Sequence, residues 1–190
     1  MGQRIVVIGA SLGGFHALET LLGGLPASFP VPVVIVQHRS YQSGSSLVTA
    51  LQRYTSLRVR EPHDKERILP GRVYLAPADY HLLVDGETFA LSTDGPVSYA
   101  RPSINVLFEA ASDSYGAGVI GVVLTGSNSD GTHGALKIKQ RGGMVVVQEP
   151  GTAESPEMPA AVLAATPVDG VMPLGEIAAF LNAACGTPQG

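Results

Sequence analysis

Three residues of chemically complementary types stand at equivalent places along this chain: a serine, a histidine and an aspartate. Ser11 lies in the glycine-rich turn of "VVIGASLGG", directly after a run of β-branched residues. His38 follows the apolar run of "VVIVQHRS", and Asp130 sits in the polar stretch of "GVVLTGSNSDG". A serine hydroxyl needs a base to take its proton, and an imidazole needs a carboxylate to fix its tautomer and stabilise its charged form. Ser11, His38 and Asp130 supply those three roles if the fold brings them together. Gly9, Gly13 and Gly14 let the backbone turn sharply beside Ser11, so a substrate can come close. The N–H groups of that turn are positioned to hold an oxyanion.

Blander uses of the same residues stay open at this level. Serine is a favoured N-cap, Asp-Gly is a common turn dipeptide, and a histidine at a strand end is often structural. "GASLGG" also suits a phosphate, although it lacks the Lys-Ser/Thr of a P-loop and the G-x-G-x-x-G dinucleotide spacing. G-x-S-x-G matches a nucleophile elbow, but the order Ser, His, Asp differs from the Ser, Asp, His order of α/β-hydrolases.

Positioning these residues requires strands and helices in alternation. "RIVVIGA" from Arg4, "PVVIVQH" from Pro32, "GVIGVVLTG" from Gly118 and "GMVVVQE" from Gly143 are short, nearly continuous apolar runs. Such runs belong to parallel strands buried on both faces. Helical spacing occupies Phe15 to Leu22, Ser46 to Tyr54, Ile104 to Ser114, His133 to Gln140 and Leu174 to Ala184. The alternation predicts a doubly wound, mainly parallel α/β sheet flanked by helices. From Arg58 to Ser92, "RVYLAP", "YHLLVD" and "TFALS" follow one another with turns at Pro77-Ala78-Asp79 and Asp85-Gly86 and no helix between them. That stretch predicts an antiparallel β-hairpin or meander attached to the sheet. Ligands of open parallel sheets bind beyond the carboxyl ends of the strands, where Ser11, His38 and Asp130 all fall. The helix after the Ser11 turn aims its N–H groups and positive dipole end at the same point.

Composition sets the outer bounds. With 190 residues and 45% of them hydrophobic, the chain suits one domain with a well-buried core, here taken as residues 1–190. A formal net charge of −4 argues against nucleic acid as a partner. Cys185 is the single cysteine, which excludes an intrachain disulfide and a thiolate metal site. His16, His63, His81 and His133 show no metal-ligand spacing, so no metal and no cofactor are expected. The longest apolar runs are far shorter than a membrane span, and no signal peptide opens the chain, which predicts a cytoplasmic protein without membrane insertion.

"IGASLGG", "VQHRS", "PGRVYLAPADYH", "RPSINVLFEAAS" and "GVVLTGSNSDGTHG", in this order, resemble the catalytic domain of the chemotaxis protein-glutamate methylesterases, the CheB family, from about Ile5 to about Pro159. The resemblance implies hydrolysis of γ-glutamyl methyl esters on the cytoplasmic helices of chemoreceptors, and deamidation of receptor glutamines in many members. It places the family's nucleophile at Ser11, its general base at His38 and its orienting carboxylate at Asp130. It also implies chemoreceptor partners and a phosphorelay context. The family usually begins with a receiver domain, whereas here the catalytic region starts at the first residues, so this is either an excised domain or a protein that works without that switch; a separate phosphorylation-dependent regulator is a further expected partner. Three departures bear on substrate fit. Leu12 replaces a common threonine, His133 stands where small residues are usual, and Ser127-Asn128-Ser129 replaces the usual Met-Gly-x of the Asp130 loop. The backbone N–H of Ser127, like those of Leu12 and Gly13, remains an oxyanion candidate. Arg101, in the R-P-S block, is either a contact for acidic receptor surface or a brace for its loop. The alternatives to an esterase are a phosphate- or nucleotide-binding module, and a non-catalytic domain that docks on receptors.

Overall fold

The computed structural model describes residues 3–39 and 46–186. Its frame is a seven-stranded sheet in the order β3-β4-β2-β1-β7-β8-β9, with every neighbouring pair parallel. At its centre, β1 (Ile5–Ala10) lies between β2 (Val33–Gln37) and β7 (Val119–Val123). The chain moves outward from β1 on one side first and returns to its other side later, which is the topology that opens a crevice beyond the strand ends.

The continuous apolar runs are explained by two cores, one on each face. Val6, Ile8 and Ala10 of β1 pack with Leu18, Leu21 and Leu181 from α1 (Gly14–Gly23) and α6 (Leu174–Cys185). Ile5 and Val7 face the other way, toward Leu107 and Phe108 of α3 (Ile104–Tyr115) and Ile138 of α4 (Thr132–Gln140). Alternate side chains of a strand point to opposite faces, so a strand covered on both must be apolar throughout.

Of the expected hairpin or meander the structure forms the hairpin, without its first segment. β4 (Arg72–Leu75) carries "RVYL" but joins the parallel sheet between β3 (Arg58–Arg60) and β2. Val73, Tyr74 and Leu75 are fully buried, as a strand paired on both sides demands. Only β5 (His81–Asp85) and β6 (Thr88–Ser92) form the antiparallel hairpin, as a separate two-stranded sheet. The crossover from β3 to β4 contains no helix. Instead, residues 65–68 run against β6, with Lys65 N–H donating to Phe89 O and Phe89 N–H to Glu66 O. An irregular segment bonded to the hairpin thus does the covering a crossover helix would do.

Two further elements were not among the sequence expectations. α5 (Glu157–Ala165) begins within the proline-bearing stretch "ESPEMP", and β9 (Gly170–Met172) adds an edge to the sheet beyond β8 (Met144–Gln148). Pro159 lies in the first turn of α5, where a proline needs no intrahelical N–H and does not break the helix. The second helix, α2, ends at Gln52 rather than Tyr54.

Candidate active site

The sequence triad meets at the carboxyl edge of the three central strands. Ser11 follows β1, His38 follows β2, and Asp130 lies in the loop after β7. His38 Nδ1 is 3.1 Å from Ser11 Oγ, and His38 Nε2 is 2.7 Å from Asp130 Oδ2. A proton on Nε2, donated to the carboxylate, leaves the Nδ1 lone pair facing the serine hydroxyl. The side chain of His38 is 13% exposed while that of Asp130 is fully buried, so a substrate can reach the base but not the carboxylate.

Asp130 is a buried charge, and such a group is tolerable only when its acceptor sites are filled. Besides the His38 bond, Oδ2 accepts the backbone N–H of Ile104 at 2.7 Å. Oδ1 accepts the Ser103 hydroxyl at 2.8 Å and the Asn105 N–H at 3.1 Å. These donors are the N-cap and first turn of α3, whose dipole end also favours negative charge there. The backbone of Asp130 is held in turn by Asn128 Oδ1, which accepts its N–H at 3.0 Å.

The nucleophile turn is fastened from three sides. The Ser11 N–H donates to Thr125 O, and the Gly14 N–H donates to Ser11 O. Gln37 Nε2 donates to both Ser11 O and His38 O, at 2.8 and 3.0 Å, which ties Ser11 to His38 through the backbone. The Thr125 hydroxyl donates to Leu12 O at 2.9 Å. Gly13 has φ +77°, and a Cβ there would stand 2.7 Å from the Glu154 side chain, so glycine is required by both conformation and space. Within the turn, only the N–H groups of Leu12 and Gly13 have no hydrogen-bond partner among the described residues, and the same holds for Ser127. A phosphate cradle draws on a longer run of successive free N–H groups, whereas a few beside a serine hydroxyl suit an oxyanion.

Two of the clefts that His38 lines adjoin Ser11 or Arg101. One of about 610 Å³ is lined by Ser11, Leu12, Gly13, His38 and Ser127. The other, about 590 Å³, is lined by His38, Tyr99, Arg101 and Asn128 among others. Arg101 reaches that wall, but its guanidinium is engaged: it donates to Asp79 Oδ1 and to the carbonyls of Thr93 and Asp94. These bonds are of the kind the bracing alternative for Arg101 calls for.

Gln37, Asn128 and Ser103 are site residues that pattern-reading passed over. Asn128 Nδ2 stands 3.2 Å from His38 Nδ1, beside the serine hydroxyl. A glutamine ending an otherwise apolar strand was the one available signal for Gln37. Among the described residues no group of three His, Cys, Asp or Glu side chains could hold a metal ion. No helix among them is long and apolar enough to cross a membrane. Burial raises the Cys185 thiol above its ordinary value, more than Arg4 lowers it, which makes this cysteine a poor competitor for the role of nucleophile.

Comparison with known proteins follows the same outline. The family model described as CheB methylesterase matches residues 6–181. A Leptospira interrogans protein, provisionally named protein-glutamate methylesterase/protein-glutamine glutaminase, is 46% identical over 179 residues, covering 94% of this chain and 93% of its own. The Thermotoga maritima protein-glutamate methylesterase/protein-glutamine glutaminase is 36% identical over 178 residues, 92% of this chain but 52% of its own. A Carboxydothermus hydrogenoformans relative of the same name is likewise matched over 54% of its length, so this chain spans about half of these longer relatives. The crystal structure of the Thermotoga maritima CheB methylesterase catalytic domain superposes with a TM-score of 0.93 at 34% identity, covering 97% of this chain and all of that one.

Proposed function

We propose that this chain, which belongs to the CheB methylesterase family, is a protein-glutamate methylesterase using Ser11 as nucleophile, His38 as general base and Asp130 as the orienting carboxylate. The observation that carries the reading is the placement of one imidazole between a serine hydroxyl and a buried carboxylate, at 3.1 and 2.7 Å. Ser11 Oγ attacks the carbonyl carbon of a γ-glutamyl methyl ester while its proton passes to His38 Nδ1. The Leu12, Gly13 and Ser127 N–H groups stabilise the oxyanion that forms. Collapse of the tetrahedral intermediate breaks the bond to methoxide, which leaves as methanol with the proton from Nδ1. Water then attacks the acyl-enzyme, gives its proton to His38, and the second collapse returns that proton to Ser11 and frees glutamate.

The same sequence applied to a glutamine side chain expels ammonia in place of methanol. The paired names of the relatives support this second activity. The substrates proposed are the cytoplasmic helices of chemoreceptors, with Leu12 as a substrate contact and Arg101 acting by bracing the cleft wall. A separate phosphorylation-dependent protein is the proposed regulator, and the chain is proposed to act as one catalytic domain. Mass spectrometry of a γ-methyl-glutamyl receptor peptide tests the reading. Wild-type protein should remove the methyl group and Ser11→Ala should not; demethylation by folded Ser11→Ala would overturn it.

A further inference from the structure

Of the four histidines outside the triad, His81 alone is buried, at 2% exposure. It opens β5, on the hairpin rather than the main sheet. A polar ring in an apolar core costs desolvation of two nitrogens unless both find partners, and a phenylalanine would fill the same space without that cost. Both nitrogens are partnered. Nε2 lies 3.0 Å from Gly95 O, and Nδ1 lies 3.2 Å from the Ser103 N–H. With its proton on Nε2, the ring donates to Gly95 and accepts from Ser103, so a single tautomer satisfies both bonds.

The two partners belong to different parts of the site. Gly95 precedes the segment whose Pro96, Ser98 and Tyr99 form a wall of the cleft beside His38. Ser103 is the N-cap of α3, and its hydroxyl is one of the four donors that hold Asp130. We infer that His81 is a positioning residue that locks the substrate-cleft wall to the Asp130 cradle, so that the orientation of the carboxylate, and of His38 through it, depends on where the wall stands. His81 touches neither Asp130 nor the reacting atoms; it acts through Ser103. The inference rests on the Ser11, His38, Asp130 reading and extends it to a residue that motif spacing had marked only as not metal-binding.

Steady-state hydrolysis of a synthetic peptide carrying a γ-methyl glutamate tests it, with Ser11→Ala as the control for the triad. His81→Phe keeps the ring volume and removes both bonds. Misplacement of a catalytic group by a fraction of its own size costs on the order of 100-fold, and a kcat loss approaching that is expected while the protein stays folded. His81→Asn presents an amide oxygen about where Nδ1 accepts the Ser103 N–H, but leaves Gly95 unbonded. It should recover kcat to within roughly threefold of wild type while KM rises, because the cradle is restored and the wall released. Wild-type kcat in folded His81→Phe would overturn the inference, as would His81→Asn performing no better than His81→Phe. If His81→Phe fails to fold, His81→Asn decides alone: retained kcat with raised KM supports positioning, and any other combination overturns it. Turnover that survives Ser11→Ala removes the triad itself, a failure recognisably different from one confined to His81.

Discussion

The Asp130 carboxylate receives four hydrogen bonds, and only one comes from the His38 imidazole. The other three come from one helix terminus, so the carboxylate stands fixed before the histidine approaches. Replacing it by asparagine keeps the size but substitutes an amide N–H for one acceptor, which must then face either His38 Nε2–H or the donors of α3. Asp130→Asn should bind a γ-methyl-glutamyl peptide about as well as wild type and turn it over at least ~100-fold more slowly. Calorimetric binding beside a rate assay checks this, and an Asp130→Asn protein with unaltered turnover would return Asp130 to the status of a turn residue. A serine-directed phosphonate should likewise modify Ser11 and leave Ser127 and Ser129 untouched, as read by peptide mapping. Ser11, His38 and Asp130 were legible as candidates because Ser11 and His38 directly follow strands whose apolar runs are visible in the sequence, and Asp130 lies in the polar loop after a third. Gln37, Asn128 and Ser103 were not, since each works on backbone or side-chain groups that only the folded loops bring near. The bond from Gln37 to Ser11 O, for example, spans 26 positions.

Elements carry the site through contacts that leave little room. A Cβ on Gly14 would lie 1.9 Å from Gln37 Oε1 and 2.9 Å from the Ala10 Cβ. Gln37 can swing away from it, but doing so releases the two carbonyls that tie Ser11 to His38. Gly14→Ala should therefore keep the fold, at an overpacking cost of about 1–3 kcal/mol, while phosphonate labelling of Ser11 slows. Gln37→Ala should slow labelling comparably with no overpacking, and labelling at the wild-type rate in both variants would dismiss Gln37 as a tether. The four central strands and five of the six helices follow from apolar period and punctuation. β4 escaped because a parallel crossover is expected to carry a helix, and here hydrogen bonds to the hairpin stand in for it. α5 was not anticipated, and its Pro159 stands in the first helical turn, which tolerates it.

Across the whole molecule, acid stability depends on carboxylates far from the triad. Burial alone would raise Asp169, but the Lys139 ammonium at 2.8 Å and the Val145 N–H at 2.7 Å outweigh it and hold the carboxyl below its ordinary 3.8. Asp113 is also lowered: the hydrogen bond from Lys137 is the largest influence, burial opposes it, and the charge of Lys137 and then Arg141 add to the lowering. The two are not equivalent. Asp113 is about half exposed, with partners on the surface of α4 and just after it, so salt and side-chain entropy remove most of its effect. Asp169 is the more enclosed of the two and is bonded to the backbone of β8 as well as to α4, so it links the sheet edge to a helix. A carboxyl whose folded value lies below its unfolded one stabilises the fold fully above the unfolded value, and this contribution is lost as pH falls through the folded value. Thermal midpoints measured from neutral pH downward should thus show Asp169→Asn less stable than wild type above 3.8, with the two curves converging below it. Asp113→Asn should run close to wild type throughout, more closely still at high salt. Parallel curves for wild type and Asp169→Asn down to the lowest pH would assign the loss to the removed hydrogen bonds alone and exclude a titrating contribution from this carboxylate.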